Sequence, residues 1–159
     1  MEDTSLKKLT LKPTGVHWIA LFLLVISVCI NYLDRGNLSV ALSSIERDVH
    51  LTKDQLGLLG TAFFVSYSLL QIWAGKLIDR FNVNWVYAIG YFVWSGATLL
   101  IGFAHSFTIF SFTLDGFAVL FLLRLLLGCG ESIAYPSYSK IICGSFPETL
   151  RGTANAAID

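Results

Sequence analysis

The chain has 159 residues, 55% of them hydrophobic and only 14% charged, and its mean hydropathy is positive, which excludes an ordinary soluble domain of this length. The formal net charge is zero, and nothing in the placement of the charges points to a nucleic-acid partner. Cys29, Cys129 and Cys143 are odd in number, widely spaced and set in apolar segments, so they read as buried small hydrophobes rather than a disulfide frame or metal site, and no cofactor is expected.

Residues 1–15 read as an N-terminal tail with Lys7, Lys8 and Lys12. Four apolar stretches follow, at about 16–43, 55–74, 85–104 and 117–143. Each supplies the roughly 20 helical residues that cross a hydrocarbon core of about 30 Å. A fifth starts near Thr153 and is cut off at Asp159. In lipid an apolar segment must satisfy its own backbone hydrogen bonds, so these are helices, and the fold class is all-α membrane protein. The first stretch is too long for the apolar part of a cleaved signal peptide and lacks a small-x-small cleavage site.

The basic residues predict an orientation. With the N-terminus in the cytoplasm, Lys7, Lys8, Lys12, Lys76, Arg80, Lys140 and Arg151 fall inside, Arg47 and Lys53 outside, and Arg35 and Arg124 within helices, as the positive-inside tendency requires. Trp18, Trp73 and Trp85 then lie at cytoplasmic helix ends, the level that amphipathic rings favour. Thr52 to Gln55 has the form of a capping box opening the second helix, and "DRFNVN" is the turn between the second and third.

In the first stretch, "NYLDRGNLS" sets Asp34 and Arg35 directly behind an apolar run. Polar residues recur every four positions at Ser27, Asn31, Arg35, Ser39 and Ser43, a row that winds slowly around one side of a helix. The helix is therefore expected to continue past Arg35, with Asp34 and Arg35 inside the membrane. In the fourth stretch, "RLLLGCGESIAYPSYSK" places Arg124, Gly128, Glu131, Tyr135 and Ser139 on one face, with Arg124 and Glu131 about 10 Å apart along the axis. Gly128 and Gly130 leave the backbone open to a neighbour or a ligand, and Pro136 predicts a kink. A charge at a helix centre costs about 2.5 to 3.5 kcal/mol on insertion scales, so two arginines and two carboxylates suggest a function, beside the plainer reading of two structural salt bridges.

The second stretch carries a small or polar stripe, Gly57, Gly60, Thr61, Ser68, Gln71 and Gly75, expected to serve close helix packing, with Gln71 as a cavity contact. The third carries Gly90, Gly96 and Gly102 but no charge, consistent with a lipid-facing position. His17, His50 and His105 lie near helix ends or in loops and read as solvated.

These residues also carry a resemblance. "GKLIDR" at 75–80 resembles the G-x-x-x-D-R signature of the major facilitator superfamily, with Gly75, Asp79 and Arg80 as its conformational motif. Together "NYLDR", "RLLLGCGES" and "FPETLRGTANA" resemble its anion:cation symporter branch, which includes bacterial sugar-acid permeases and relatives of the animal sialic acid and vesicular glutamate carriers. The resemblance spans about 16–159. The family continues D-R with x-G-R-[RK]; here Phe81, Asn82, Val83 and Asn84 follow, with Asn82 able to take a glycine's left-handed conformation, and the missing basic residues put the motif's cytoplasmic latch in question.

The resemblance implies twelve helices in two halves, with helices one and four lining a cavity that opens to alternate sides. The chain then reads as the N-terminal part of that fold: a cytoplasmic tail at 1–15, and at 16–159 a partial half of four transmembrane helices plus the start of a fifth, whose partners are the bilayer and the missing C-terminal helices. Carried over by position, Arg35 and Arg124 attract an organic anion, Asp34 and Glu131 are the proton-coupling pair, and Asn31, Tyr32, Tyr135 and Ser139 hydrogen-bond the substrate. Glu131 binds substrate or proton, and Asp34 pairs with Arg35 or Arg124 between turnovers. The implied protein is a multi-pass symporter of the plasma or inner membrane and no enzyme; a uniporter, a sodium- or phosphate-linked carrier and an intramembrane hydrolase are the rival readings, and the G-x-G-D and G-x-S-x patterns of the last do not occur.

Overall fold

The structure, a computed structural model, describes residues 14–49, 51–103 and 116–159. The lysines of the tail, His50 and His105 lie outside these residues, as do the side chains of Ser39, Ser43 and Arg47. Six helices and no strand occur among the described residues: α1 Gly15–Val49, α2 Lys53–Arg80, α3 Val83–Gly102, α4 Gly116–Glu131, α5 Ala134–Ser145 and α6 Glu148–Ala156. Four spans, Gly15–Gly36, Lys53–Arg80, Val83–Gly102 and Gly116–Ser145, are long and apolar enough to cross a membrane.

Helix α1 runs unbroken through Asp34 and Arg35 for 35 residues, as its polar spacing predicts. Thr52 opens α2 with a complete capping box: its hydroxyl accepts from the Gln55 N–H at 3.3 Å, and the Gln55 side-chain oxygen accepts from the Thr52 N–H at 2.9 Å. In the turn to α3, Asn82 sits at φ −65° and ψ 120°, not in the left-handed region. Its side-chain oxygen accepts from the Asn84 N–H at 2.9 Å, so asparagine serves here as a helix cap rather than as a stand-in for glycine.

The fourth membrane span is two helices rather than one kinked helix. Proline at 136 has no N–H for the carbonyl of residue 132, and its ring crowds that carbonyl. The break accordingly falls at Ser132 and Ile133, where the Ser132 hydroxyl donates to the Cys129 carbonyl at 2.8 Å. Helix α6 begins at Glu148, five residues ahead of the expected start near Thr153, just after Pro147 at its N-cap, a residue whose fixed φ suits a helix entry.

Between membrane helices no hydrophobic force drives association, since lipid is as apolar as leucine, so small residues and hydrogen bonds decide the packing. Helix α4 is the centre, packed along α2 on one side and α3 on the other. A side chain at Gly128 would collide with Ser66 and the Phe63 carbonyl of α2, and one at Gly130 would stand 2.7 Å from the Trp94 nitrogen of α3. Both glycines open the backbone to neighbouring helices. Phe63, Trp94, Ala97 and Leu127 fill the space among α2, α3 and α4. Leu21, Leu24 and Val28 of α1 pack on Ala134, Tyr138 and Ile142 of α5, and the Ser27 hydroxyl is 2.7 Å from that of Tyr138 and 2.8 Å from that of Tyr87, tying α1 to α5 and α3.

The α2 stripe of Gly57, Gly60, Thr61 and Ser68 lines an open groove, while α2 meets α4 through its Leu59, Ala62, Phe63 and Ser66 face. Two expectations fail. Helix α3 does not merely face lipid: Val86, Gly90, Trp94 and Ala97 are buried against α4, while Ile89, Phe92 and Leu99 face outward. Cys29 and Cys143 are exposed and Cys129 half-buried, all three as free thiols.

Candidate functional site

Asn31, Asp34 and Arg35 stand three and four positions apart, on the side of α1 that meets the α2–α4 core. The adjacent Asp34 and Arg35 point about 100° apart around the axis and so reach different helices. Arg35 Nε donates to Glu131 Oε1 at the end of α4 over 2.6 Å. Glu131 is wholly buried and Arg35 is 25% exposed. The Arg35 guanidinium lies 4.9 Å from the ring centre of Tyr67, 5.7 Å from that of Phe63 and 5.8 Å from that of Tyr32, so three aromatic faces support the cation. Asp34 turns the other way, to α3, where its Oδ2 accepts from Trp94 Nε1 at 2.7 Å and from the Thr98 hydroxyl at 3.3 Å.

Arg124 is buried two turns before Glu131 on α4, within electrostatic reach of Glu131 and Asp34, yet it forms no ion pair with a carboxylate among the described residues. Asn31 Nδ2 and Oδ1, Arg35 Nη2 and Glu131 Oε2 are buried and have no hydrogen-bond partner among the described residues. Asn31 lies near Glu131, but neither of its side-chain atoms bonds the carboxylate. Buried polar groups are paired in the great majority of cases, and each one left unpaired costs about 1 to 3 kcal/mol. Four such atoms lie on Asn31, Arg35 and Glu131, and Arg124 has no carboxylate partner among the described residues.

Of the other expected residues, Tyr135 on α5 is half-buried near Tyr32 and Arg35, whereas Ser139 is exposed and away from the charges. Gln71 is half-buried on α2 at the same four-residue step as Phe63 and Tyr67. Gly75, Asp79 and Arg80 lie two or more turns further along α2 than Gln71's neighbour Tyr67, outside the charge cluster. Sequence reasoning missed Phe63, Tyr67, Trp94 and Thr98. One signal was available: three of the four tryptophans fall at predicted helix ends, and Trp94 alone sits in mid-span, where an indole N–H requires a partner.

The sequence pattern of the Major Facilitator Superfamily matches residues 24–159 of this chain. The chain belongs to that superfamily. It is a multi-pass membrane protein by that membership and its four apolar spans. Relatives of this superfamily member include the uncharacterized transporter YybO of Bacillus subtilis, 36% identical over 93% of this chain and 32% of the relative. The probable galactarate/D-glucarate transporter GudP of Pseudomonas putida is 40% identical, over 91% of this chain and 31% of its own. The D-galactonate transporter of Escherichia coli O6:H1 is 35% identical, over 90% and 31%. The chain thus spans about a third of the length of the curated relatives it matches.

The GKLIDR sequence at 75–80 ends α2, and a lysine from α5 meets it. Lys140 Nζ on α5 donates to the Ile78 carbonyl at 2.6 Å and to Asp79 Oδ1 at 3.0 Å. A cation at the carboxyl end of a helix caps free carbonyls and complements the dipole. Arg80 itself lies over the Phe81 ring at 5.8 Å.

Proposed function

We propose that residues 16–159 are part of the N-terminal half of a secondary transporter, not an enzyme, and that the intact protein carries an organic anion such as a sugar acid in symport with a proton. The observation that carries this reading is the buried cluster of Arg35, Arg124, Asp34 and Glu131 among α1, α3 and α4, with unpartnered polar atoms at its centre. A structural ion pair would leave no such capacity unused. Arginine suits a carboxylate because its planar fork makes two parallel hydrogen bonds. A sugar acid adds hydroxyls that donate and accept, which fits Asn31 and the nearby Tyr32 and Tyr135. The names of the relatives from Pseudomonas putida and Escherichia coli support the same substrate class.

Within this reading, Arg124 receives the substrate carboxylate, and Glu131 exchanges its bond with Arg35 for a proton or for the substrate. Asp34 is the second proton-coupling group. Gln71 borders the cavity, Ser139 is a weaker contact, and Gly75, Asp79 and Arg80 govern the conformational change. The N-terminus is cytoplasmic, on the distribution of lysine and arginine between the two sides, and the membrane proposed is the plasma or inner membrane.

The test is uptake of labelled galactarate, D-glucarate and D-galactonate by proteoliposomes holding the full-length protein, with an imposed inward proton gradient. Accumulation above the external concentration, with acidification of the lumen, is the expected result. Uptake that only equilibrates points to a uniporter, dependence on sodium to a sodium-linked carrier, and failure with all three substrates overturns the sugar-acid reading. Under the proposal, Glu131→Gln abolishes uphill uptake.

A further inference from the structure

Asp34 lies next to Arg35 in sequence and within electrostatic reach of the buried Arg124, yet it pairs with neither. Its oxygen is instead held from the third side by α3, through Trp94 Nε1 at 2.7 Å and the Thr98 hydroxyl at 3.3 Å. Trp94 is 2% exposed, packed with Phe63 of α2 and Leu127 of α4, and its main chain lies against Gly130, so the indole is held by packing on both sides. Thr98 is one helical turn on, and both groups are donors aimed at the same atom. A carboxylate that lacked these donors would turn to the charged donors within electrostatic reach, the guanidinium of Arg124 above all.

We infer that Trp94, assisted by Thr98, is a positioning residue that holds the Asp34 carboxylate away from Arg124 and so keeps that arginine free for an anionic ligand. The idea rests on the transporter reading for the identity of the ligand, and on the geometry alone for the clamp. It gives α3, which carries no charge, a part in setting affinity: the competition for Arg124 between an internal carboxylate and an external one is decided by an indole N–H. A hydrogen bond to a charged group is stronger than one between neutral groups, so losing this one weakens anion binding by about tenfold or more.

The experiment is a pair of double-mutant cycles on the full-length protein with Trp94→Phe, Asp34→Ala and the combination. The first cycle reads equilibrium binding of D-galactonate, D-glucarate and galactarate, which requires no transport. Trp94→Phe is expected to raise Kd about tenfold or more, and the same change in the Asp34→Ala background to have little effect, because the carboxylate that Trp94 restrains is then absent. A structural role for Trp94 would weaken binding equally in both backgrounds, and that result overturns the proposal, as does unchanged binding by Trp94→Phe. The second cycle reads unfolding in mixed micelles: coupling between the two positions supports the clamp, and additive effects refute it. If wild type binds none of the three sugar acids while the stability cycle shows coupling, the clamp stands and the substrate reading falls.

Discussion

Replacing Arg35 with methionine removes the partner of a carboxylate that has no access to solvent, whereas replacing Glu131 with glutamine leaves a cation that is 25% exposed and rests on three rings. The two losses are therefore unequal. In Arg35→Met, Glu131 either stays charged without a partner, at about 3 to 5 kcal/mol for a broken buried pair, or takes up a proton. For a carboxyl of ordinary pKa near 4.3, protonation at pH 7 costs about 3.7 kcal/mol, which sets the ceiling on the destabilisation. In Glu131→Gln an oxygen still stands opposite Arg35 Nε and the rings still face the cation, so the loss is about 1 to 2 kcal/mol. The double variant has no buried charge left at this pair and should resemble Glu131→Gln. Denaturation of the full-length protein by titrating sodium dodecyl sulfate into mixed micelles measures all four proteins. Equal and additive losses for the two single variants would refute the argument that Glu131 is the deeply committed member of the pair.

Three further outcomes follow from the packing. Gly130→Ala puts a Cβ 2.7 Å from the Trp94 nitrogen and 2.9 Å from the Gly90 carbonyl, against 3.4 Å for an ordinary contact, so α3 and α4 must separate by about 0.7 Å. The expected loss is about 1 to 3 kcal/mol in the same micelle titration, while Gly96→Ala on α3, with nothing nearby, is neutral. Tyr138→Phe removes one of the two hydroxyls that meet Ser27 and should cost about 0.6 kcal/mol, the average for hydrogen bonds between membrane helices; adding Tyr87→Phe should cost more than the sum, since Ser27 then has no tyrosine partner. Lys140→Met should cost about 1 kcal/mol or less, because the Lys140 and Asp79 side chains are 40% and 81% exposed; a loss above about 2 kcal/mol would show that the bond to the Ile78 carbonyl dominates the clip.

Much of the fold was legible because its signals are local. Apolar length alone marks four spans, the pair Thr52 and Gln55 marks the start of α2, and the four-residue polar row marks the continuation of α1 past Arg35. The arginines and carboxylates were legible for a different reason, since a charge in hydrocarbon is costly wherever it sits. What the sequence hid were matters of facing. The glycines of α2 at 57 and 60 look like packing residues, as Gly128 and Gly130 do, but among the described residues the latter pair alone meets a neighbour, and nothing in a four-residue period says which side of a helix a partner will occupy. Proline at 136 announces a disturbance yet leaves open whether the helix bends or ends; the answer lay four residues back, at the carbonyl it deprives of a donor.

Pairing was the least legible feature, and the reason is instructive for the site. From charge alone, Asp34 has two arginines to choose from and is expected to take one. It takes neither, because an uncharged helix offers it two fixed donors, and a carboxylate satisfied by an indole and a hydroxyl has no need of a guanidinium. Glu131 claims Arg35 through a single oxygen, so its second oxygen and one Arg35 nitrogen stay unbonded. A cluster whose formal charges sum to zero is thus left with its hydrogen bonds incomplete. Charge neutrality lets such a cluster exist inside a membrane, and under the proposed function the incomplete bonding gives an incoming anion groups to bind. A design with both arginines fully paired would be more stable and would have nothing to offer a ligand.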